Sequence, residues 1–213
     1  MTRLTPRKPD QPVLWIIAGP NGSGKSSFYN RTDIEGWGGS VWIVNPDLLT
    51  LRLIEQEALK LEQANRLALD RMMLWLEASI DVHQTIGVET VLSSSKYRKL
   101  VKKAKERGFE IRMIYIVLET PELQIERVRL RVSEGGHDVP TGKIVARRQR
   151  SFEQLAWFFN EVDRCYIFDN SDGRPDMLAE KVDDKMLFWS QGPTDLVDTL
   201  KSKGVKILWF ESS

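Results

Sequence analysis

Cysteine occurs once in the 213-residue chain, at Cys165. An intrachain disulfide is therefore excluded, and so is a cysteine-based zinc cage. Histidine occurs only at His83 and His137, too few and too far apart in sequence for a metal site. Neither charge dominates: 31 Lys and Arg against 30 Asp and Glu leave a net charge of +1. That balance excludes a broadly basic nucleic-acid coat and an acidic disordered tail. Long apolar runs are absent as well. Val13 to Ala18 is a run of six, where a membrane-spanning helix needs about 20 residues. The preceding stretch, MTRLTPRKPDQP, is charged, rich in proline and without the apolar core of a signal peptide. These absences point to a soluble protein of a reducing compartment, most simply the cytoplasm.

What is present is an alternation. Short runs rich in β-branched residues alternate with longer segments of helical period, which predicts an α/β layer fold with a parallel sheet. Five strands are expected, at Val13–Ala18, Val41–Val44, Gly87–Leu92, Glu110–Leu118 and Cys165–Phe168. VLWIIA and IRMIYIVL read as central strands buried on both faces. Helices are expected from Lys25, from Asp47 to Ile86 with a break near Glu57–Gln63, over Tyr97–Arg107 ending at Gly108, over Pro121–Val132 and over Ile144–Asn160. Beyond Arg174, KMLFWS and VKILWF read as two more strands around a helix near Thr194–Ser202, extending the sheet edge or forming a partner surface.

Gly19-Pro20-Asn21-Gly22-Ser23-Gly24-Lys25-Ser26, followed by Ser27, fits G-x-x-x-x-G-K-[ST] at every fixed position. Glycines let the backbone wrap tightly and turn successive N–H groups inward as an anion nest. The helix that follows adds its positive end. Lys25 supplies charge to the outer phosphates of a nucleotide, and Ser26 offers a hydroxyl to Mg²⁺. The motif follows an apolar strand and opens a helix, its proper context. The Asn-Lys-x-Asp signature that selects guanine is absent, so the expected nucleotide is ATP.

Ligands of open parallel sheets bind beyond the carboxyl ends of the strands, where several further residues fall. Asp47, in Asn45-Pro46-Asp47, has two readings: it orients or deprotonates an acceptor hydroxyl, or it caps the following helix. Glu89 and Thr90 lie in the third strand, where a carboxylate could hold Mg²⁺ through water or a polar group of the substrate. Ser93, Ser94 and Ser95 follow as substrate contacts or plain turn residues. Arg127, Arg129, Arg131, Arg147, Arg148 and Arg150 flank the glycine-bearing loop Ser133–Pro140, which has the look of a lid whose guanidiniums close over a transferring phosphoryl group. Arg131 and Arg147 stand out among them. Asn170, in Asp169-Asn170-Ser171, ends the last core strand, as an adenine neighbour or an Asx-turn. The basic run Lys96, Arg98, Lys99, Lys102, Lys103, Lys105, Arg107 reads chiefly as a solvated helix face, which makes nucleic acid an improbable partner.

In order, GPNGSGKSS, NPD, ETVLSSS, RVSEGGHDVP, I-x-x-R-x-x-R-S at Ile144–Ser151 and DNS resemble the zeta-toxin-like P-loop kinases, in particular a shorter bacterial branch of predicted ATPases. The resemblance spans residues 19–171. It implies a shikimate- and nucleotide-kinase-like fold, with a kinase-like domain over 1–173 and an extension over 174–213 packed on it. It implies Asp47 as base, Glu89 at the substrate or metal site, and Arg131 and Arg147 on the phosphates, with Arg150 a weaker match. The best-known members phosphorylate a sugar hydroxyl of UDP-N-acetylglucosamine and are blocked by an antitoxin. The sequence departs from the branch at Val91, where threonine is common, and at Arg148, where an aromatic is common. The expectation is an ATP- and Mg²⁺-dependent kinase acting on a small-molecule hydroxyl, a UDP-sugar among the candidates, with an antitoxin as a conceivable protein partner and no membrane association. Two alternatives stay open: an ATP-binding switch or interaction module using the aromatic tail, and a polynucleotide 5′-hydroxyl kinase using the basic helix.

Overall fold

The computed structural model describes residues 11–31, 41–135 and 138–210. Its centre is a single sheet. β1 (Val13–Ala18), β2 (Ile43–Val44), β3 (Ile86–Thr90), β4 (Glu110–Val117) and β5 (Arg164–Asp169) are all parallel, in the order β2-β3-β1-β4-β5. The sheet then continues through β6 (Asp176–Val182) and β7 (Lys185–Phe188), which run antiparallel to their predecessors, to β8 (Lys206–Trp209), parallel to β7. The expected five parallel strands are present, but the sheet has eight strands. KMLFWS and VKILWF supply β7 and β8, on either side of helix α7 (Thr194–Ser202), and they extend the sheet edge. β6, for which the sequence offered no element, joins them to the parallel set. β2 is shorter than expected, and β3 ends at Thr90 instead of Leu92 because Leu92 turns to φ +56°.

β1 is buried on both faces, as its uninterrupted apolar run requires. The period of two sends Leu14, Ile16 and Ala18 to one face and Val13, Trp15 and Ile17 to the other. The first face packs on three helices: α3 (Leu61–Asp81) through Met72, Leu76 and Ile80, α4 (Arg98–Glu106) through Leu100, Val101 and Ala104, and α6 (Thr141–Glu161) through Phe152, Leu155, Phe158 and Phe159. The second meets Phe28 of α1 (Lys25–Arg31), with Ile114, Ile116 and Tyr166 beside it. The long helical segment breaks where expected: α2 (Pro46–Glu57) stops before Ala58, a left-handed residue at φ +52°, and α3 restarts at Leu61.

Local chemistry places the other ends. α5 (Pro121–Ser133) begins with proline at its first position, and the Thr120 hydroxyl accepts the Leu123 N–H at 3.2 Å. α4 ends at Gly108, φ +79°, as a C′ glycine. Among the described residues no helix is long and apolar enough to cross a membrane. Part of the basic run at α4 is engaged by acids. Lys103 and Arg107 reach Asp81, and Lys105 reaches Glu161. Arg98 bonds Gln154 and lies over the Trp157 ring.

Candidate active site

The loop from Gly19 to Gly24 joins the carboxyl end of β1 to the start of α1. All three of its glycines are required by geometry: at Gly22, φ +76°, a Cβ would collide with the Gln124 carbonyl. Gly19 lies against the Ile116 carbonyl, where a Cβ would collide with the oxygen. Gly24 has φ +87°, and a Cβ there would collide with Nδ2 of Asn170, which donates to the Ser23 carbonyl at 2.9 Å. Asn170 thus closes the loop from β5, and Arg127 secures Asn170 in turn by donating to the carbonyls of Asn170 and Ser171 at 2.8 and 2.6 Å. Replacing Gly24 with Ala strains a left-handed residue and displaces Asn170, so it is expected to cost about 2–4 kcal/mol. A fall in the urea midpoint checks this; an unchanged midpoint would mean that the loop relaxes freely.

Lys25 is buried, and its ammonium donates to the carbonyls of Gly19 and Pro20 at 2.9 and 3.0 Å. Burial pushes its pKa below the ordinary lysine value. Glu89 and Asp47 pull it back up, and Arg131 lowers it further. That pattern puts Glu89, Asp47 and Arg131 within electrostatic reach of Lys25. Glu89 is buried near the end of β3. Its Oε2 accepts three hydrogen bonds, from the Ser26 hydroxyl at 2.8 Å, the Tyr29 hydroxyl at 2.9 Å and the Asn45 amide at 2.8 Å. A carboxylate in an apolar strand demands such partners. Burial, followed by the charge of Glu89, raises the Tyr29 pKa and keeps the phenol a donor.

The two readings of Asp47 separate here. The cap of α2 is Asn45, whose Oδ1 accepts from the N–H groups of Asp47 and Leu48 at 2.9 and 3.4 Å. Pro46 fills the first helical position, so Asp47 is the second residue of the helix. Its side chain is exposed, and its charge acts on Lys25, Lys96 and Tyr97. Lys96, read in the sequence as the first of a basic run, precedes α4 and stands on the loop beyond β3. Protein crowding around its ammonium lowers its pKa although much of the side chain meets solvent. Asp47 opposes that shift and Arg147 adds to it.

The remaining candidates divide. Arg131 and Arg147 are half-buried and within reach of Lys25 and Lys96 respectively, whereas Arg150 is exposed. Arg148 is buried in a structural knot, described below. Thr90 is buried, and its hydroxyl accepts the Leu92 N–H at 2.9 Å. Ser93 is half-buried, and Ser27 is exposed on α1. Gly136 and His137, in the loop expected to act as a lid, lie outside the described residues. Three residues of this cluster escaped sequence reasoning: Tyr29, Asn45 and Lys96. Tyr29 carried one signal, its position one helical turn after Ser26.

The donor set suits a magnesium nucleotide. Among the described residues no three His, Cys, Asp or Glu converge on a metal position. Ser26 and Glu89 nevertheless present two hard oxygens 2.8 Å apart, and Mg²⁺ takes one or two protein oxygens together with phosphates and waters. The Ser23 hydroxyl is buried in the loop without a hydrogen-bond partner among the described residues.

A mostly parallel sheet, a phosphate-binding loop after its central strand, and Lys, Ser, Glu and Asp gathered at one edge define a P-loop protein of the kinase type. The Zeta toxin family model matches residues 1–174, and the chain belongs to that family. An uncharacterized protein of Haemophilus influenzae is 26% identical over 134 residues, covering 58% of this chain and 89% of that one. Among solved structures, a chain of the AvrRxo1-ORF1:-ORF2 complex with ATP superposes with a TM-score of 0.62 at 20% identity. The match covers 93% of this chain but 66% of that one, so this chain spans just under two thirds of its length. The PezAT chromosomal toxin-antitoxin system of Streptococcus pneumoniae matches with a TM-score of 0.61 at 17% identity, covering 92% and 80%. At these identities the two structures share the fold.

Proposed function

We propose that the protein is an ATP- and Mg²⁺-dependent phosphotransferase acting on a hydroxyl of a small molecule, with UDP-sugars the first acceptors to test. The observation that carries this reading is the convergence of Lys25, Ser26, Glu89 and Asp47 beyond the carboxyl ends of β1, β2 and β3. In this reading Lys25 and the loop amides hold the phosphates. Ser26 and Glu89 would hold Mg²⁺, which when bound would neutralise phosphate charge. Asn170 keeps the loop closed on the adenine side. Asp47 faces the acceptor. The acceptor oxygen attacks the γ-phosphorus, the bond from phosphorus to the β,γ-bridging oxygen breaks, ADP leaves, and the hydroxyl proton passes to the Asp47 carboxylate. Arg131 and Arg147 stabilise the spreading charge. Phosphoryl transfer requires little beyond positioning and neutralisation, so this set is sufficient.

Incubation with γ-labelled ATP, Mg²⁺ and a metabolite extract spiked with UDP-sugars is expected to label one acceptor. Lys25→Ala is expected to remove the label. Label absent from every wild-type reaction overturns the reading. A second reading, an ATP-binding module that engages a protein partner, draws on the exposed side chains of Trp189, Trp209 and Phe210 at the β8 edge. The PezAT relative is described as a toxin-antitoxin system, and an antitoxin-like partner for this chain belongs to the same proposal. A stable complex burying that edge, with no phosphorylated product, would favour it.

A further inference from the structure

The segment beyond residue 174 lies outside the family match, yet one of its side chains reaches a buried arginine of α6. Arg148 of α6 is 2% exposed. Its guanidinium has five N–H donors, and five acceptors surround it. Nε donates to Asp195 Oδ2 at 2.6 Å and Nη2 to Asp195 Oδ1 at 2.9 Å, a two-pronged pair. Nη1 donates to the Leu118 carbonyl at 2.8 Å and to Gln124 Oε1 at 3.3 Å, and Nη2 also donates to the Glu119 carbonyl at 3.2 Å. Asp195 stands in the first turn of α7. α7 is fastened to α6 again where Gln149 donates to the Thr199 hydroxyl at 3.3 Å.

One residue before this knot comes Arg147, half-buried and electrostatically coupled to Lys96, which is itself coupled to Asp47. Three residues after Arg148, on the same helix face, the Ser151 hydroxyl donates to the Val91 carbonyl at 2.7 Å and contacts the Tyr115 hydroxyl at 2.7 Å. The face of α6 that carries Arg148 and Ser151 therefore grips the loops beyond β3 and β4. Successive residues are rotated by about 100° around a helix, so fixing Arg148 inward sets the direction in which Arg147 leaves the helix.

We infer that α7 is a positioning element for phosphoryl transfer: Asp195 holds Arg148, and Arg148 sets the register and rotation of α6 from which Arg147 reaches the transferring group. This rests on the proposed phosphotransferase reading and on the charge-stabilising role given there to Arg147. Asp195 and Arg148 touch neither nucleotide nor acceptor; they act through Arg147. Among the described residues Asp195 supplies the only carboxylate in the Arg148 knot. Without it a desolvated cation keeps its neutral acceptors and loses its counter-charge, which draws the Arg148 end of α6 toward water.

The test uses the full chain and two probes that need no acceptor: Mg·ADP, and Mg·ADP with fluoroaluminate, which mimics the transferring phosphoryl group. Wild type is expected to bind the second more tightly. Arg147→Ala is expected to lose about 10- to 100-fold of that gain, and Asp195→Asn a similar share. Mg·ADP affinity in both is expected to stay within about threefold of wild type, as for a contact made only in the transition state. The double variant is expected to lose no more than the worse single, since both act through one guanidinium. Asp195→Glu, which keeps the charge, is expected to fold if Asp195→Asn does not, and to recover most of the gain.

The outcomes separate the two claims. Loss in Arg147→Ala with full retention in Asp195→Asn leaves the phosphotransferase reading standing and overturns the positioning role. The same holds if Asp195→Asn lowers Mg·ADP and fluoroaluminate binding equally, which marks general loosening of the fold. No loss in Arg147→Ala removes the role of that arginine and the inference with it. Equal wild-type affinity for both probes, or none for either, overturns the phosphotransferase reading itself.

Discussion

Asp47→Asn is expected to lower kcat for the true acceptor by about 10²–10⁴-fold while leaving the ATP dissociation constant within about twofold of wild type. A thousandfold loss within that range corresponds to about 4 kcal/mol of barrier. The separation of transfer from binding follows from where the residue sits. Asn45 already caps α2, so the helix does not need the Asp47 side chain for its first N–H groups. Besides its charge on Lys25 and Lys96, its remaining structural contribution is that of a carboxylate in a first helical turn, about 0.3–1 kcal/mol. The variant therefore folds, and its defect is read as chemistry. Asparagine preserves shape and can still accept a hydrogen bond from a hydroxyl, but it cannot take the proton. Steady-state kinetics with calorimetric ATP titration checks both halves. Full activity in Asp47→Asn would strip the residue of its role as base, and a collapse of ATP affinity would place it among the phosphate-binding groups.

The legible part of this fold was the part whose side chains answer to one constraint. VLWIIA is buried on both faces and reads as a central strand because nothing polar interrupts it. The phosphate loop reads from its glycines because the backbone there touches Ile116 and Asn170 too closely for any Cβ. The break between α2 and α3 was expected from length alone. β6 was missed because DMLAEKV is half solvated: Leu178 and Ala179 are buried while Asp176 and Val182 are exposed, and no period dominates.

At the site, spacing could not decide between neighbours. Asn45 and Asp47 are both residues that favour caps, and only the backbone path through Pro46 assigns the cap to Asn45. Lys96 looked like a member of a basic helix, yet the chain enters α4 only at Arg98, which leaves Lys96 on the loop beyond β3. Arg147, Arg148 and Arg150 are equivalent to a periodicity argument. The rotation of α6 buries the second, half-buries the first and exposes the third. The partner that explains the burial of Arg148, Asp195, lies 47 residues away in a segment that carried no motif.

Lys25→Met is expected to abolish nucleotide binding and to leave the nucleotide-free protein at least as resistant to urea as wild type near pH 7. Methionine matches the length and packing of lysine but has no charge to offer a phosphate. In wild type, Mg·ATP at a hundred times its dissociation constant adds about 2.7 kcal/mol of stability, a rise of roughly 5–10 °C in Tm for a chain of this size. In the variant that rise disappears. The effect on the free protein has the opposite sign because the ammonium is desolvated: burial, the largest influence, lowers the folded pKa beneath the unfolded value of 10.5. Below the folded pKa the unfolded chain holds the proton on better terms than the native one, so the buried charge costs stability. As pH rises from the folded pKa toward 10.5, the unfolded state binds more protons at this site, and wild type gains on the variant. The two hydrogen bonds to Gly19 and Pro20 offset part of the penalty, which is why the variant is expected to match or exceed wild type by a modest margin. Urea midpoints of both proteins at pH 7, 9 and 10 follow the narrowing gap, and thermal scans with and without Mg·ATP follow the ligand. A Lys25→Met protein that still gains several degrees from Mg·ATP would show that the loop amides alone hold the nucleotide, and the electrostatic core of the site would lie elsewhere.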